Sequence, residues 1–369
     1  MPDRSRLRIG LNLLYLRPGV VGGTETYARG LISGLAAVGL AHEFIVFLNR
    51  SARDWPLPPG FERVVCPVPA RQGSRYLYEQ LVFPVLLRRL ELDVVHSLAY
   101  VAPIFAPCAG VVTVHDLNYR APSHRMPAVR RLVLRSFVAA AVRSCEAVVV
   151  VSRFIADELT SVMPGAARKV HVVHEAPLPR SIDASGSGRP ASAPVPYFLA
   201  FSSVTANKNL GRLLEAYARA RADGLRHGLV LVGHPPPWAH QAVSGVRWTG
   251  YLSDEEVRHL LEGADALVFP SLYEGFGLPI LEAMQAGTAV ACSRSASLPE
   301  IAGDAAEYFD AADVASIAGA LLRLAGDPAL REALVRRGRA RLTSFSWERA
   351  ARETLAVYAS AIARHRGAR

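Results

Sequence analysis

A length of 369 residues with 51% hydrophobic content suits two domains of ordinary size, each with a substantial core. The formal charge of +10 is concentrated in residues 1–177, where 21 Arg and Lys face 13 Asp and Glu, against 21 and 19 in residues 178–369. Four scattered cysteines without C-x-x-C spacing exclude a zinc site or disulfide framework, no run approaches the ~18–20 apolar residues of a membrane span, and MPDRSRLRIG lacks the apolar stretch of a signal peptide.

These features describe a cytoplasmic α/β protein. Its first predicted strand is Arg8–Leu16, followed by Gly19, Gly22 and Gly23 and by a helix starting near Thr24-Glu25-Thr26, whose hydroxyls suit caps. The glycines do not follow G-x-G-x-x-G, so a dinucleotide fingerprint is not indicated. Further strands are predicted at Phe44–Leu48, Val94–Ser97, Val111–Val114 and Ala147–Val151, with helices between them, the pattern of a parallel sheet covered on both faces. Basic residues gather at Arg71, Arg75, Arg88 and Arg89, then at Arg125, Arg130, Arg131, Arg135 and Arg143. The second set alternates with Leu132, Val133, Leu134, Phe137 and Val138, an amphipathic basic helix suited to an anionic membrane surface. No nucleic-acid motif accompanies the charge. His115-Asp116 closes a buried strand, where a histidine faces a ligand crevice rather than the core. Ser152, between Val151 and Arg153, reads equally as a helix cap or a ligand contact.

Residues 178–196 (LPRSIDASGSGRPASAPVP) have the Pro, Ser, Gly and Ala content of a linker. They divide residues 1–177 from a second domain over residues 197–345. That domain restarts with a strand at Tyr197–Ser203, a loop through Asn209 and a helix to about Ala222, followed by strands at Leu229–Val232, Val246–Trp248 and Ala266–Phe269. A final helix runs from Phe345 through Tyr358. Of the 42 basic residues only Lys169 and Lys208 are lysine, and neither lies in a Walker A loop. A lysine retained among arginines points to a need for a compact charge, and Lys208 sits in a loop that follows a strand.

The richest segment is Glu274-Gly-Phe-Gly-Leu-Pro-Ile-Leu-Glu282. The buried strand before it and the helix after it place its glycines in a strand-to-helix loop. Pro279 suits the first helical position and Gly287 a helix stop. Glycine backbone approaches a ligand closely, and the free N–H groups of a helix start form an anion site. Glu274 on the loop and Glu282 one turn into the helix put carboxylates on either side of that site. A phosphate flanked by hydroxyl-binding carboxylates describes a sugar nucleotide.

The segment resembles the E-x7-E signature of glycosyltransferase family 4, retaining enzymes of the GT-B fold, and so do Gly287-Thr-Ala-Val-Ala and Ser297-Leu-Pro-Glu300-Ile-Ala-Gly-Asp304. The resemblance spans roughly Arg8 to Tyr358. It implies two doubly wound Rossmann-like domains facing a central cleft, with residues 346–369 crossing back to the first domain. It further implies that Gly22 and Gly23 donate backbone N–H groups to the donor phosphate, that His115 stands beside the transferred sugar, and that Asp116 orients it or meets the acceptor. Ser203, Lys208 and Asn209 fall in the phosphate-side loop, where Asn207 replaces the family's usual arginine and Ser202 its glycine. Gly275, Phe276, Gly277 and Leu278 line the phosphate, Tyr251 and Leu252 read the base through their backbone, Glu282 binds the ribose and Glu274 a sugar hydroxyl.

No D-x-D motif occurs. The resemblance therefore implies a metal-independent, cofactor-free retaining hexosyltransferase, mannosyltransferase-like, with GDP-mannose as first choice of donor. The acceptor implied is a glycan, lipid-linked at the cytoplasmic face of the inner membrane, in bacterial surface polysaccharide or lipopolysaccharide synthesis. The alternatives are a non-catalytic sugar-nucleotide-binding protein and an epimerase or phosphorylase on the same fold.

Overall fold

The computed structural model describes residues 6–20, 22–39, 41–69, 72–120, 127–179, 195–202, 205–239 and 243–367. Ser203, Arg71, Arg125 and most of the 178–196 linker lie outside these. The chain divides into two compact units, Met1–Tyr119 with Met126–Leu178 and Phe345–Arg369, and Arg120–Arg125 with Pro179–Ser344.

The first unit is built on seven parallel strands, β1 (Arg8–Leu13), β2 (Glu43–Leu48), β3 (Phe61–Val65), β4 (Val94–Ser97), β5 (Ala109–Val114), β6 (Ala147–Val150) and β7 (Val170–Val172). Their spatial order is β3-β2-β1-β4-β5-β6-β7. The order reverses between β1 and β4, and ligands of doubly wound sheets bind at the carboxyl edge of such a switch point. Its helices are α1 (Gly23–Val38), α2 (Gln72–Leu81), α3 (Phe83–Arg89), α4 (Ala128–Ser144) and α5 (Arg153–Val162). Strand β1 stops short of the expected Leu16 because the Asn12 Oδ1 accepts from the Leu14 N–H at 3.0 Å and so takes that donor away from the ladder.

The second unit holds β8 (Tyr197–Phe201), β9 (Gly228–Val232), β10 (Val246–Trp248), β11 (Ala266–Phe269), β12 (Ala289–Ser293) and β13 (Glu307–Phe309). They are ordered β10-β9-β8-β11-β12-β13, with the reversal between β8 and β11. Its helices are α6 (Leu210–Ala222), α7 (Asp254–Gly263), α8 (Leu278–Ala286), α9 (Leu298–Ala302), α10 (Val314–Gly326) and α11 (Pro328–Leu342). The β8 strand is shorter than expected, ending at Phe201. Strands β3, β7, β12 and β13 were not anticipated. Three of them, β3, β7 and β13, lie at sheet edges, where one side stays open and the continuous apolar run of a buried parallel strand is lost.

The last helix, α12 (Trp347–Gly367), belongs to the first unit and runs nine residues past Tyr358. It packs on α1, where Gly30 and Gly34 form a groove without side chains. A Cβ at Gly30 would lie 1.9 Å from Trp347 Cε2, and one at Gly34 2.2 Å from the Trp347 carbonyl oxygen. Trp347 Nε1 donates to the Pro177 carbonyl at 3.2 Å. Further along, the Tyr358 hydroxyl meets His96 Nδ1 at 2.8 Å, while His96 Nε2 meets Thr113 Oγ1 at 2.8 Å. This buried chain joins α12 to β4 and β5. Burial depresses the His96 imidazole to about 3, so the ring is neutral at neutral pH.

Candidate functional site

In the second unit the candidate residues converge on the carboxyl ends of β8 and β11, the switch point of that sheet. After β8 a short turn of 3-10 helix, Ala206–Lys208, carries Lys208. After β11 comes the loop that holds Glu274. The Lys208 ammonium lies 2.6 Å from Glu274 Oε1 and 5.3 Å from the Phe269 ring centroid, and both charged side chains are half-buried. Two residues expected to contact different parts of a donor are therefore each other's partners.

Asn207 holds this pair together. Its carbonyl accepts from the Leu272 N–H at 2.7 Å, and its Nδ2 donates to the Tyr273 carbonyl at 3.2 Å. Where an arginine contact was expected to be lost, the shorter side chain is buried and ties the lysine loop to the glutamate loop. Ser297, on the turn before α9, clamps the other flank by donating to the carbonyls of Glu274 at 3.0 Å and Phe276 at 2.6 Å. Gly277 caps α8 at φ 116°, and a Cβ there would come within 2.8 Å of Leu298 Cδ2. Only glycine meets both demands, and the first N–H groups of α8 are thereby presented beside Gly275 and Phe276. Pro279 takes the second helical position, Gly287 closes α8 in the left-handed region, and Glu282 is half-buried within it.

Asn209 is turned inward. Its Nδ2 donates to the Ala311 carbonyl at 2.7 Å and its Oδ1 accepts from Arg212 at 3.0 Å. That amide is a structural tie at the start of α6, and the left-handed backbone at φ 56° suits asparagine. Tyr251 is 89% exposed with its ring edge on His234. Next to it, Gly250 and Gly233 exchange backbone hydrogen bonds of 2.9 and 3.2 Å, which anchor the loop whose backbone was expected to read a base.

In the first unit, no described residue beyond the chain neighbours comes within 4 Å of a Cβ placed at Gly19, Gly22 or Gly23, so the loop before α1 has open space around its glycines. Glu25 shapes it, accepting from the Gly19 N–H at 2.8 Å and from Trp55 Nε1 and Arg29. Partial burial raises the Glu25 pKa, yet these donors outweigh it and hold the carboxyl below its ordinary value. His115 follows β5, 7% exposed, with Nε2 at 2.9 Å from the Leu98 carbonyl and Nδ1 at 3.3 Å from Glu175. Glu175 had no sequence signal: a lone glutamate after an edge strand, 60 residues from its partner. Asp116 accepts from the Asn118 N–H at 3.0 Å and so shapes the next turn, while Ser152 caps α5 by accepting from the Ile155 N–H.

At the switch point itself, Asn12 Nδ2 donates to Glu79 Oε1 at 3.1 Å, and Arg75 sits 3.5 Å from Glu79. Arg75, expected on a basic surface stretch, is instead buried. Its counter-charge is Glu79 one helical turn away, whose carboxyl burial pushes above its ordinary value despite the nearby guanidinium. Among the described residues no group of three or more His, Cys, Asp or Glu side chains could hold a metal ion.

Two parallel sheets of Rossmann strand order, together with a likeness to solved glycosyltransferases, make this a GT-B fold. Residues 21–176 match the family described as Glycosyltransferase Family 4, and residues 195–327 that described as Glycosyl transferases group 1. The chain thus carries a glycosyltransferase family 4 domain followed by a glycosyl transferases group 1 domain. It is 36% identical over 173 residues to O-antigen chain mannosyltransferase B of Escherichia coli, covering 44% of this chain and 45% of the relative. It is 38% identical over 168 residues to MMP alpha-(1->4)-mannosyltransferase of Mycolicibacterium hassiacum, covering 42% and 41%. The matched stretches thus span less than half the length of these curated relatives. The sucrose-phosphate synthase of Thermosynechococcus elongatus superposes with a TM-score of 0.72 at 20% identity, over 97% of this chain and 100% of that one, a likeness of fold.

Proposed function

We propose that the protein is a retaining, metal-independent hexosyltransferase that moves mannose from GDP-mannose to a hydroxyl of a lipid-linked glycan in bacterial surface polysaccharide synthesis. The observation that carries this reading is the Lys208–Glu274 pair set beside the glycine loop and the start of α8. A diphosphate bound at that helix start draws Lys208 toward its own charge and frees Glu274 to accept a sugar hydroxyl. In the transfer, the bond from the sugar's anomeric carbon to the diphosphate breaks as one to the acceptor oxygen forms on the same face. The acceptor's proton passes to the leaving phosphate. Lys208 and the Gly277–Leu278 amides stabilise the charge that develops on the leaving group. Mannose as the transferred sugar is supported by the likeness to two mannosyltransferases.

A lipid-linked acceptor is supported by a surface of the first unit. Phe105 is 82% exposed and Val129 76%, and Leu77, Leu81 and Leu132 also stand in solvent. Gln80 ties the Phe105 loop to α2 through the Ile104 N–H at 3.0 Å, and α2 meets α4 where Tyr76 lies 4.4 Å from Phe137. Helices α3 and α4 bear six arginines and no acid. Apolar side chains among cations that form no ion pair with the described residues match an anionic bilayer at the cytoplasmic face of the inner membrane. No helix among the described residues is long and apolar enough to cross a membrane.

The test is nucleoside diphosphate release from a panel of sugar nucleotides in EDTA, with a membrane extract as acceptor source, for wild type and Glu274→Ala. Turnover of GDP-mannose that the variant loses is the expected result. Absence of turnover with every donor, alongside intact nucleotide binding, identifies a binding protein and overturns the reading.

A further inference from the structure

The hydrogen bonds of His115 decide its charge. The Leu98 carbonyl can only accept, so Nε2, 2.9 Å away, carries a proton. An ionised Glu175 also can only accept, so Nδ1 at 3.3 Å carries one as well. Against an ionised Glu175, a neutral imidazole with its single N–H satisfies one contact but not both. Glu175 is 4% exposed, and neither partner of this pair is freely solvated.

The groups packed around the ring agree. Asp116 adds a second negative charge from the same chain segment. Across the sheet His96 is neutral and occupied by Tyr358 and Thr113, so it brings no competing positive charge. Tyr27 from α1 presents its ring edge-on at 4.7 Å, and Tyr100 stands at 5.9 Å. Burial opposes protonation of His115, but the Glu175 carboxylate, with the Leu98 carbonyl and Asp116, outweighs it and raises the ring above its ordinary value.

We propose that Glu175 is a positioning residue that holds His115 as an imidazolium, so that the histidine serves transfer as a fixed positive charge and not as a hydrogen-bond donor to the sugar. Both of its N–H groups are already engaged within the protein. The proposal rests on the reading that His115 serves the transfer reaction. A cation oriented by two acceptors at the carboxyl edge of its sheet needs no reorganisation when negative charge develops nearby.

The experiment is a pH titration of ring nitrogen resonances in 15N-histidine-labelled protein, with His115 assigned from its absence in His115→Phe. The wild-type ring should remain doubly protonated well above pH ~6.5, the ordinary histidine midpoint. In Glu175→Gln, which keeps the shape and an acceptor oxygen, the midpoint should fall by about one unit or more. Glu175→Asp should restore part of it. The upper limb of the kcat profile should move with the ring. A wild-type His115 that is singly protonated at pH 7, or that titrates alike in wild type and Glu175→Gln, overturns the proposal. The titration needs no turnover, so it decides this point even where the donor panel fails, and the wild-type arm alone suffices should the variant not fold.

Discussion

Lys208 and Glu274, 66 residues apart in the chain, form an ion pair of 2.6 Å between the loops that follow β8 and β11. The pair neutralises the cation that a diphosphate needs. Glu274→Gln removes the counter-charge and keeps the size. We expect transfer to fall about 10²–10³-fold in this variant. GDP alone should bind at least as tightly as to wild type, and Lys208→Ala should weaken it. Calorimetric titration with GDP and single-turnover transfer rates check both arms. Weaker GDP binding in Glu274→Gln would show that the pair merely holds the loops.

Gly277 is constrained twice, by φ 116° and by the Leu298 side chain. Gly277→Ala should lower the stability of the second unit by about 1–3 kcal/mol and shift the first amides of α8 away from the anion. Thermal unfolding and GDP affinity should both decline. Loss of affinity with an unchanged melting profile is the pattern this account does not allow.

The α1–α12 contact depends on two glycines. Gly34→Ala drives a methyl group against the Trp347 backbone, which has no rotamer to yield, and should cost about 1–3 kcal/mol. Trp347→Ala leaves a cavity instead and should cost about 3–5 kcal/mol. Urea unfolding of each variant reads these values, and Gly34→Ala at wild-type stability would contradict the close approach.

His96 makes stability depend on acid. Its folded-state pKa of about 3 lies below the ~6.5 of an unfolded histidine, so the native state binds fewer protons between those values. Its contribution is complete above pH ~6.5 and is lost as pH falls toward about 3, at a slope of at most about 1.4 kcal/mol per pH unit. His96→Gln should flatten that part of the curve of unfolding free energy against pH. Parallel curves for variant and wild type would assign acid sensitivity to other groups.

Lipid binding should follow the surface and not the net charge. Vesicles containing anionic phospholipid should float the wild-type protein at low salt and release it as salt screens the arginines. Leu132→Glu combined with Phe105→Glu should abolish flotation and leave transfer to a soluble acceptor unchanged. Equal flotation with neutral vesicles would argue against an electrostatic component.

Much of the second unit was legible because its devices are local. Glycines, Pro279 and the strand before them mark the loop within a few residues, and each acts through its own backbone preference. Ser297 stood in a recognised stretch, yet its part as a clamp on the Glu274 and Phe276 carbonyls appears only when α9 is packed. Asn209 carried the right local pattern for a donor contact, and the fold turned it toward Ala311. Arg75 read as surface charge because the acid it lies against, Glu79, is recognised as its partner only once both sit under the sheet edge.

By itself the sequence determined the two α/β halves and the glycine-loop helix start, since these follow from apolar runs and backbone preferences that act over a few positions. Tertiary structure alone decided which charges meet. Lys208 found Glu274, His115 found Glu175, and Gly30 and Gly34 received Trp347 across separations no local pattern encodes. The reason is physical: Coulomb attraction, hydrogen bonding and close packing act through space over a few ångströms, and only the folded chain sets which residues lie that near.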